Sequence, residues 1–399
     1  MKKNPSLSAF VRPRSFFALG LCSAGVLLAV LSIAAPNPTG RSTAAAADRL
    51  TPVVVNSLYH GVSPALRDLP AGPMERDEPE FEAAEGVRRV KKDQPVLKDF
   101  VDAALQRALP APLLTFEGMN QSEGCGGCIP PDTNGAVGPT QYVQMVNSGV
   151  SVYDKSGTRT LGPKPINALW SGLPGACKDN NNGDPIVAYD QMADRWLVSQ
   201  FAVPGGATGY HECIAISKTS DATGEYYVYD FLVGNSTRFQ DYPHFGVWPD
   251  GYYMATHQFN PTSYVGAGAF AFEREKMLQG LPAQMVKFTL ANESTSYGGQ
   301  LPADLDGFTP PPPGAPNYFM EVDASTDGLG AAALRIWKFH VDWTTPANST
   351  FGVGLGLPDS IIPVTDFQRP NCSLGGQRAY IVGCVPQVTR LSWIRWAIV

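Results

Sequence analysis

The chain has 399 residues, of which 44% are apolar, so it is long enough and hydrophobic enough to form a substantial core. Its 40 Gly, 35 Pro and 10% aromatic residues favour strands and turns over helices. Subtracting the five basic residues of the first 47 positions from the formal net charge of −6 leaves about −11 for the rest. Nucleic-acid binding requires clustered cations, so this acidic chain is not expected to have a nucleic-acid partner.

Residues 1–47 have the features of an export signal. They carry five basic residues and no acidic one, and an apolar run from Phe16 to Ala35 leads into Pro36 and small residues. This order is typical of a cleaved signal peptide. The alternative is an uncleaved N-terminal anchor, because the run is about as long as a membrane-spanning helix. We therefore expect a secreted or surface-attached protein that contacts a membrane only if this segment is retained.

Residues 48–112 are predicted to form a charged linker or pro-segment, mostly without regular structure. The stretch from Met74 to Asp93 is highly charged and nearly free of aromatic residues. One amphipathic helix is predicted after it and ends at Pro110. The apolar face of that helix consists of Leu97, Phe100, Val101, Ala104, Leu105 and Ala108.

Four later segments share one pattern, in which an Asp precedes a turn and an aromatic residue then opens a strand. They are Pro130–Gly149, Asn182–Phe201, Asp241–Phe259 and Pro302–Ser325. Each is followed by a second hairpin-like stretch, so every period of about 50 residues contains four short strands. One such sheet cannot bury both of its faces, and sheets of this kind pack side by side around an axis. We therefore predict an all-β fold, a β-propeller of four-stranded blades, over residues 113–389.

The C-terminal end departs from this pattern. Four blades occupy Pro130 to about Leu357, and "GQRAYIVGCVPQ" opens what would be the next blade. The chain then ends in "RLSWIRWAIV", which lacks the expected turn residues. We interpret residues 390–399 as a frameshifted tail and the propeller as cut short.

The segments "PPDTNGAVGPTQYVQMVN", "GDPIVAYDQMADRWLVSQF" and "DYPHFGVWPDGYYMATHQF" resemble a group of exported, mostly uncharacterised bacterial proteins with sialidase-like β-propeller character. The resemblance covers about Thr115 to Cys384 and implies export and the fold. The chain lacks the Ser-x-Asp-x-Gly-x-Thr-Trp boxes of true sialidases. The chain also resembles five-bladed glycosidases, in which the Asp of an Asp-Pro strand entry is the base and an Asp of a second blade tunes the pKa of that base. The resemblance implies that Asp184 and Asp241 of this chain take these two roles. No Glu stands at the corresponding place of the next blade, where the acid is expected.

The four marker aspartates are the candidate ligand-binding residues. The first strand of a propeller blade is its innermost strand, so the residues before it lie at one mouth of the central channel. We expect Asp132, Asp184, Asp241 and Asp304 to converge there, with His244 beside them. The alternative is that these aspartates only form turns, in which their carboxylates bind nearby backbone amides.

Two further sets of residues suggest a metal and disulfide bonds. The loop "DNNNGD" offers oxygen ligands at Asp179, Asn181 and Asp184, a pattern that suits calcium, although simple Asx turns explain it as well. Six cysteines follow the signal segment, an even number that favours disulfides in an exported protein. The proposed pairs are Cys125 with Cys128, Cys177 with Cys213, and Cys372 with Cys384. A zinc or redox role for the first pair is the alternative.

The sequence contains no complete catalytic motif, which favours a binding function. The leading hypothesis is an extracellular binding or scaffold module, calcium-stabilised, whose ligand is unknown and could be a glycan. The alternative hypothesis is a glycan-active hydrolase or lyase with carboxylates at the channel mouth, for which Asp184 and Asp241 are the catalytic candidates.

Overall fold

The computed structural model describes residues 49–72, 112–128, 131–204, 209–260, 263–290, 297–307 and 309–367. Strands dominate these ranges and are arranged in four antiparallel sheets. Two short strands come first, β1 (Val53–Asn56) and β2 (Tyr59–Val62). The short helices are α1 (Gln121–Cys125), α2 (Ala176–Asp179) and α3 (Arg274–Leu278), with 3-10 turns at Leu66–Asp68, Ile166–Trp170, Ser325–Asp327 and Pro346–Asn348.

Each sheet is built mainly from consecutive strands. The first sheet contains β3 (Thr133–Val137), β4 (Gln141–Val146), β5 (Gly149–Asp154) and β6 (Arg159–Pro165). The second contains β7 (Gly183–Asp190), β8 (Arg195–Ala202), β9 (Tyr210–Ser217) and β10 (Tyr226–Gly234). The third contains β11 (Phe239–Trp248), β12 (Gly251–Asn260), β13 (Ser263–Phe272) and β14 (Gln284–Thr289). The fourth contains β15 (Leu301–Pro302), β16 (Asn317–Asp323), β17 (Ala333–His340), β18 (Thr350–Phe351) and β19 (Ser360–Pro363).

Local sequence explains why these strands turn where they do. The link between β4 and β5 is only Asn147 and Ser148, and Asn147 has a φ of 43°, a conformation that Asn tolerates better than most residues. At the next turn the Asp154 carboxylate accepts the backbone N–H groups of Ser156 and Thr158. Such side-chain acceptors replace the ladder partners that the chain loses when it reverses direction.

The first strands of successive sheets lie side by side, since β7 lies beside both β3 and β11, and β11 lies beside β15. An apolar core fills the space between each neighbouring pair of sheets. Trp196, Trp248 and Trp337 are fully buried in these cores. Each of these indoles donates its N–H to a backbone carbonyl, which removes the cost of burying that polar group. Antiparallel sheets packed face to face around their first strands are the arrangement of a β-propeller.

The outer edges of the second and third sheets are closed by the N-terminal strands. β2 pairs with β10 from Tyr59↔Asp230 to Val62↔Tyr227, and β1 pairs with β14. Leu66, which follows β2, is 1% exposed in the core between the first two sheets. Part of the segment predicted as a linker is therefore folded onto the sheets. Its charged stretch and its helix over 97–108 lie outside the described residues, as do the predicted signal segment and the 390–399 tail.

Two of the three predicted disulfides are confirmed. Cys125 is bonded to Cys128, and Cys177 is bonded to Cys213. The second bond ties α2, which lies between the first two sheets in the chain, to β9 in the second sheet. Cys372 and Cys384 lie outside the described residues. No helix within the described ranges is long and apolar enough to cross a membrane.

Candidate functional site

Residues on or next to the first strand of each of the four sheets surround a cavity of about 220 Å³. Every sheet contributes to its wall, so residues far apart in sequence face one another across it. The polar and aromatic groups that line it are Asp132, Asn134, Asp184, Tyr242, His244 and Asp304. Ile186, Phe245 and Leu301 add an apolar part. We call this space the axial cavity.

Three lining residues share an unusual backbone conformation. Asp132, Asp184 and Tyr242 have φ values of 42°, 45° and 56°. Asp is several-fold enriched in this left-handed region, but a bulky Tyr is rarely found there. Such strain persists only where the surroundings enforce it, and it clusters at functional sites.

The strand registers explain where this conformation occurs. In the second sheet the pairing shifts between Gly183 and Ile186, so Asp184 and Pro185 form a bulge. In the third sheet it shifts between Asp241 and His244, so Tyr242 and Pro243 form the matching bulge. Tyr242 therefore corresponds to Asp184, and Asp241 corresponds to Gly183. The sequence pattern treated Asp241 as the counterpart of Asp184. That assignment was wrong by one residue, because the counterpart in the third sheet is Tyr242.

The predicted site residues are consequently not all brought together. Asp132, Asp184, His244 and Asp304 line the axial cavity. Asp241 precedes the bulge, pairs with His257 in the ladder and is not among the described residues that line the cavity. Its carboxylate accepts the backbone N–H of Tyr242 at 2.9 Å, the local bond expected of a turn-forming aspartate.

Two lining side chains also connect neighbouring sheets. The first strand of each sheet is an edge strand, and its inward N–H groups need partners outside its own ladder. Asn134 Oδ1 accepts the N–H of Val187 at 2.8 Å, and Asp304 Oδ1 accepts the N–H of Val247 at 2.8 Å. Asp304 is only 8% exposed, so this carboxylate has a structural role in addition to lining the cavity.

Tyr242 and His244 line the axial cavity, and the His257 ring lies beside Tyr242 behind this wall. The Tyr242 ring lies 4.1 Å from the His244 ring and 5.0 Å from the His257 ring, centroid to centroid. His257 Nε2 accepts the N–H of Gly299 at 2.7 Å. Burial lowers the pKa of His244 to about 4, although a bond from its Nδ1 to the Tyr242 carbonyl opposes the shift. Near neutral pH the His244 side chain is therefore uncharged.

Tyr242 and His257 were missed in the sequence analysis. A positive φ at a tyrosine cannot be read from local sequence, because it results from the bulge against β12. His257 lies in "ATHQF", at the end of the hairpin that begins with Asp241. The pairing of β11 with β12 brings this end of the hairpin beside Tyr242.

The predicted calcium ligands are spread over different surroundings. Asp179 is exposed at the end of α2. The Asn181 side chain accepts the N–H of Asn167 at 3.1 Å and donates to the Ser148 carbonyl at 2.9 Å. Only Asp184 lines the axial cavity. Within the described ranges there is no group of three or more His, Cys, Asp or Glu side chains suited to a metal ion.

Chemically, the axial cavity combines acceptors with flat apolar faces. Asp132 and Asp184 supply carboxylate oxygens, and neutral His244 adds a ring nitrogen on the side away from the Tyr242 carbonyl. The rings and Ile186 supply surfaces on which an apolar face can pack. This combination suits a neutral ligand that has several hydroxyl groups on one side and C–H groups on the other.

No protein-family model and no curated protein matches the chain. Solved structures with some similarity include an arabinanase from Bacillus subtilis, 12% identical over 56% of this chain and 80% of that one, with a TM-score of 0.30. An endo-arabinanase from Bacillus licheniformis is 11% identical over 60% and 81%, with a TM-score of 0.31. A glycosyl hydrolase from Bacteroides ovatus is 12% identical over 74% and 86%, with a TM-score of 0.27. These likenesses are too weak to assign an activity, and they do not support the sialidase-like label.

Proposed function

We propose that this protein is an extracellular β-propeller that binds a carbohydrate in the axial cavity. The observation that supports the proposal is the convergence of Asp132, Asp184 and Asp304 from three sheets on a cavity that also presents the Tyr242 and His244 rings. Carboxylates accept hydrogen bonds from sugar hydroxyls, and rings pack against the C–H face of a sugar. The two disulfides are compatible with an extracellular location.

The first test is the substitution Asp184→Asn. Asn tolerates a φ of 45°, so the backbone should keep its shape while the charged acceptor is lost. A hydrogen bond to a charged group contributes about 1.5–3 kcal/mol, so the Kd for an oligosaccharide should rise roughly 10- to 100-fold. The ligand is first found on a glycan array, and its Kd is then measured by isothermal titration calorimetry.

Asp179→Asn is the matched control, since it makes the same chemical change on an exposed helix residue outside the cavity. It should leave the Kd unchanged. An unchanged Kd in Asp184→Asn, or an array on which no glycan binds, would contradict the proposed function.

Glycoside hydrolysis is the second candidate function, because it needs two carboxylates at one site and the axial cavity holds more than one. Asp184 remains the first catalytic candidate, and Asp132 is a better partner for it than Asp241, which does not line the cavity. Chromogenic glycosides and polysaccharides are the substrates to test. Turnover that Asp184→Asn abolishes and Asp179→Asn retains would favour the hydrolase over the binding module.

Calcium is part of the proposal as a stabilising ion. Its proposed ligands are Asp184 and Asp132, with carbonyl or water oxygens completing the coordination, because Asp179 and Asn181 lie outside the wall of the cavity and the described residues form no larger cluster of ligating side chains. The ion would offset the repulsion between carboxylates of different sheets.

A further inference from the structure

A second cavity, of about 240 Å³, lies between the second and third sheets. It shares no lining residue with the axial cavity. Its wall is formed by the end of β10, the segment that leads into β11, and residues of β12 and β14. The side chains important here are Arg238, Gln240, Gln258, Lys287 and Thr289. We call this space the inter-sheet cavity.

Glycine in β13 makes room for the polar side chains beside this cavity. The ladder places Gly268 between Thr256 on β12 and Thr289 on β14, and Gly266 lies opposite Gln258 on the same face. A Cβ atom at Gly268 would lie 2.6 Å from Thr256 Oγ1 and 2.7 Å from Gln258 Nε2. Two successive positions on this face therefore lack side chains where the polar groups of β12 and β14 meet.

The buried amides of the inter-sheet cavity are already satisfied by one another. Gln240 is 2% and Gln258 is 1% exposed. Gln240 Oε1 accepts from Thr256 Oγ1 at 2.8 Å and from Gln258 Nε2 at 3.1 Å. Arg238 Nη1 then donates to Gln258 Oε1 at 3.3 Å. This network orients Arg238 and holds its guanidinium at the cavity.

Two cations face the inter-sheet cavity, and neither has a carboxylate partner among the described residues. Lys287 Nζ donates to the Val233 carbonyl at 2.9 Å, which uses one of its three N–H groups. Burial lowers the pKa of Lys287, and the positive charge of Arg238 lowers it further. Both side chains are half-buried, and two like charges near each other are stabilised when an opposite charge joins them.

We propose that the inter-sheet cavity binds an oxyanion, a sulfate, phosphate or carboxylate group, held between Arg238 and Lys287. The guanidinium presents a fork of donors that matches two oxygens of such a group, and the ammonium supplies a point charge. The Thr289 hydroxyl is a further donor at the wall. The oxyanion is either a free inorganic ion or the acidic group of a sugar.

The test titrates the protein with sodium sulfate, inorganic phosphate and sodium glucuronate by isothermal titration calorimetry, with glucose as the neutral comparison. We expect saturable binding of at least one anion and none of glucose. Binding of glucuronate alone identifies an acidic sugar as the source, and binding of sulfate or phosphate alone identifies an inorganic ion.

Variants locate the binding. Arg238→Gln and Lys287→Gln should each raise the Kd of the bound anion at least about tenfold, since each removes a charged hydrogen-bond donor. Arg238→Lys, which keeps the charge, should raise it less than Arg238→Gln. Lys155→Gln is the matched control, because Lys155 is exposed in the turn between β5 and β6 and lies outside the cavity.

Sulfate also stabilises proteins without binding, because it is excluded from their surface. A rise in melting temperature that is equal in wild type, Arg238→Gln and Lys155→Gln would be that general effect. That result, an absence of saturable binding by all three anions, or an anion Kd that Arg238→Gln leaves unchanged would overturn the proposal. The test does not depend on the axial cavity, so it can fail or succeed independently of the proposed function.

Discussion

Glu212 is the clearest case of a single residue whose chemistry differs from its ordinary behaviour. It lies on β9 and is completely buried. Among the described residues, the Ser199 hydroxyl is the one neighbouring side chain that lowers the pKa of its carboxyl. Burial raises the pKa of its carboxyl to about 8. The side chain is therefore neutral in the folded protein at neutral pH, whereas it is ionised in the unfolded chain.

The consequence is a stability that falls as the pH rises. Below a pH of about 4.5 both states are protonated, and between about 4.5 and 8 only the folded state keeps the proton. The free energy of unfolding should then decrease by roughly 1.4 kcal/mol per pH unit through this window relative to a Glu212→Gln variant. Urea unfolding of wild type and Glu212→Gln at pH 5, 6, 7 and 8 measures the difference.

Glu275→Gln, at an exposed helix position, is the control and should follow the wild-type slope. If Glu212→Gln shows the same dependence on pH as wild type, the carboxyl at 212 is ionised in the folded state and the expectation is wrong.

A residue of the candidate site could be predicted from the sequence where its type is typical of a turn before a strand. Asp132, Asp184 and Asp304 could be found because a turn-forming aspartate before an apolar strand is visible locally. Tyr242 and His257 could not, because their positions depend on a bulge in the pairing of β11 with β12. A bulge is set by contacts between strands, and a single strand gives little indication of it.

At the scale of elements, the hairpins could be predicted from the sequence, whereas the strands that are added at the sheet edges could not. The predicted segments Asn182–Phe201 and Asp241–Phe259 cover most of the pairs β7–β8 and β11–β12. Hairpins are local, and their turns have recognisable residues. By contrast, β1, β2 and β19 pair with strands that are not their immediate neighbours in sequence, so only the folded structure shows them.

The N-terminal segment should therefore contribute to stability through its packing. Leu66→Ala removes a side chain that is 1% exposed between the first two sheets, and it should cost about 2–5 kcal/mol in the free energy of unfolding. Leu58→Ala is the control, because Leu58 is 51% exposed and its loss should change stability by less than about 0.5 kcal/mol. Chemical denaturation of both variants makes the comparison, and equal effects would mean that the segment is not packed on the sheets.

At the scale of the whole molecule, the convergence of the marker residues followed from the architecture. Equivalent positions of successive sheets lie around one axis, so Asp132, Asp184 and Asp304 share a cavity despite their separation in sequence. The order of blades around an axis does not give the strand register within each sheet. For this reason the sequence predicted Asp241 as a residue of the cavity and did not predict Tyr242.

The same convergence gives a prediction about calcium. An ion bound between carboxylates of different sheets stabilises only the folded state, by about 2.7 kcal/mol at a calcium concentration 100 times its Kd. Calcium should raise the melting temperature and a chelator should lower it. The double variant Asp132→Asn/Asp184→Asn should lose this response, whereas Asp179→Asn should keep it. A melting temperature that neither calcium nor chelator changes would exclude a stabilising calcium site.

The pairing of β1 and β2 with the outer edges of the third and second sheets also has a consequence for the order of folding. These strands are synthesised before every strand with which they pair, because β2 needs β10 and β1 needs β14. Contacts over such long sequence separations form slowly, and exposed strand edges are open to association with other chains while they wait. The first strands to be made are thus among the last to dock. A ribosome-bound chain that stops before β14 should leave β1 accessible to protease, whereas the finished protein should protect β1.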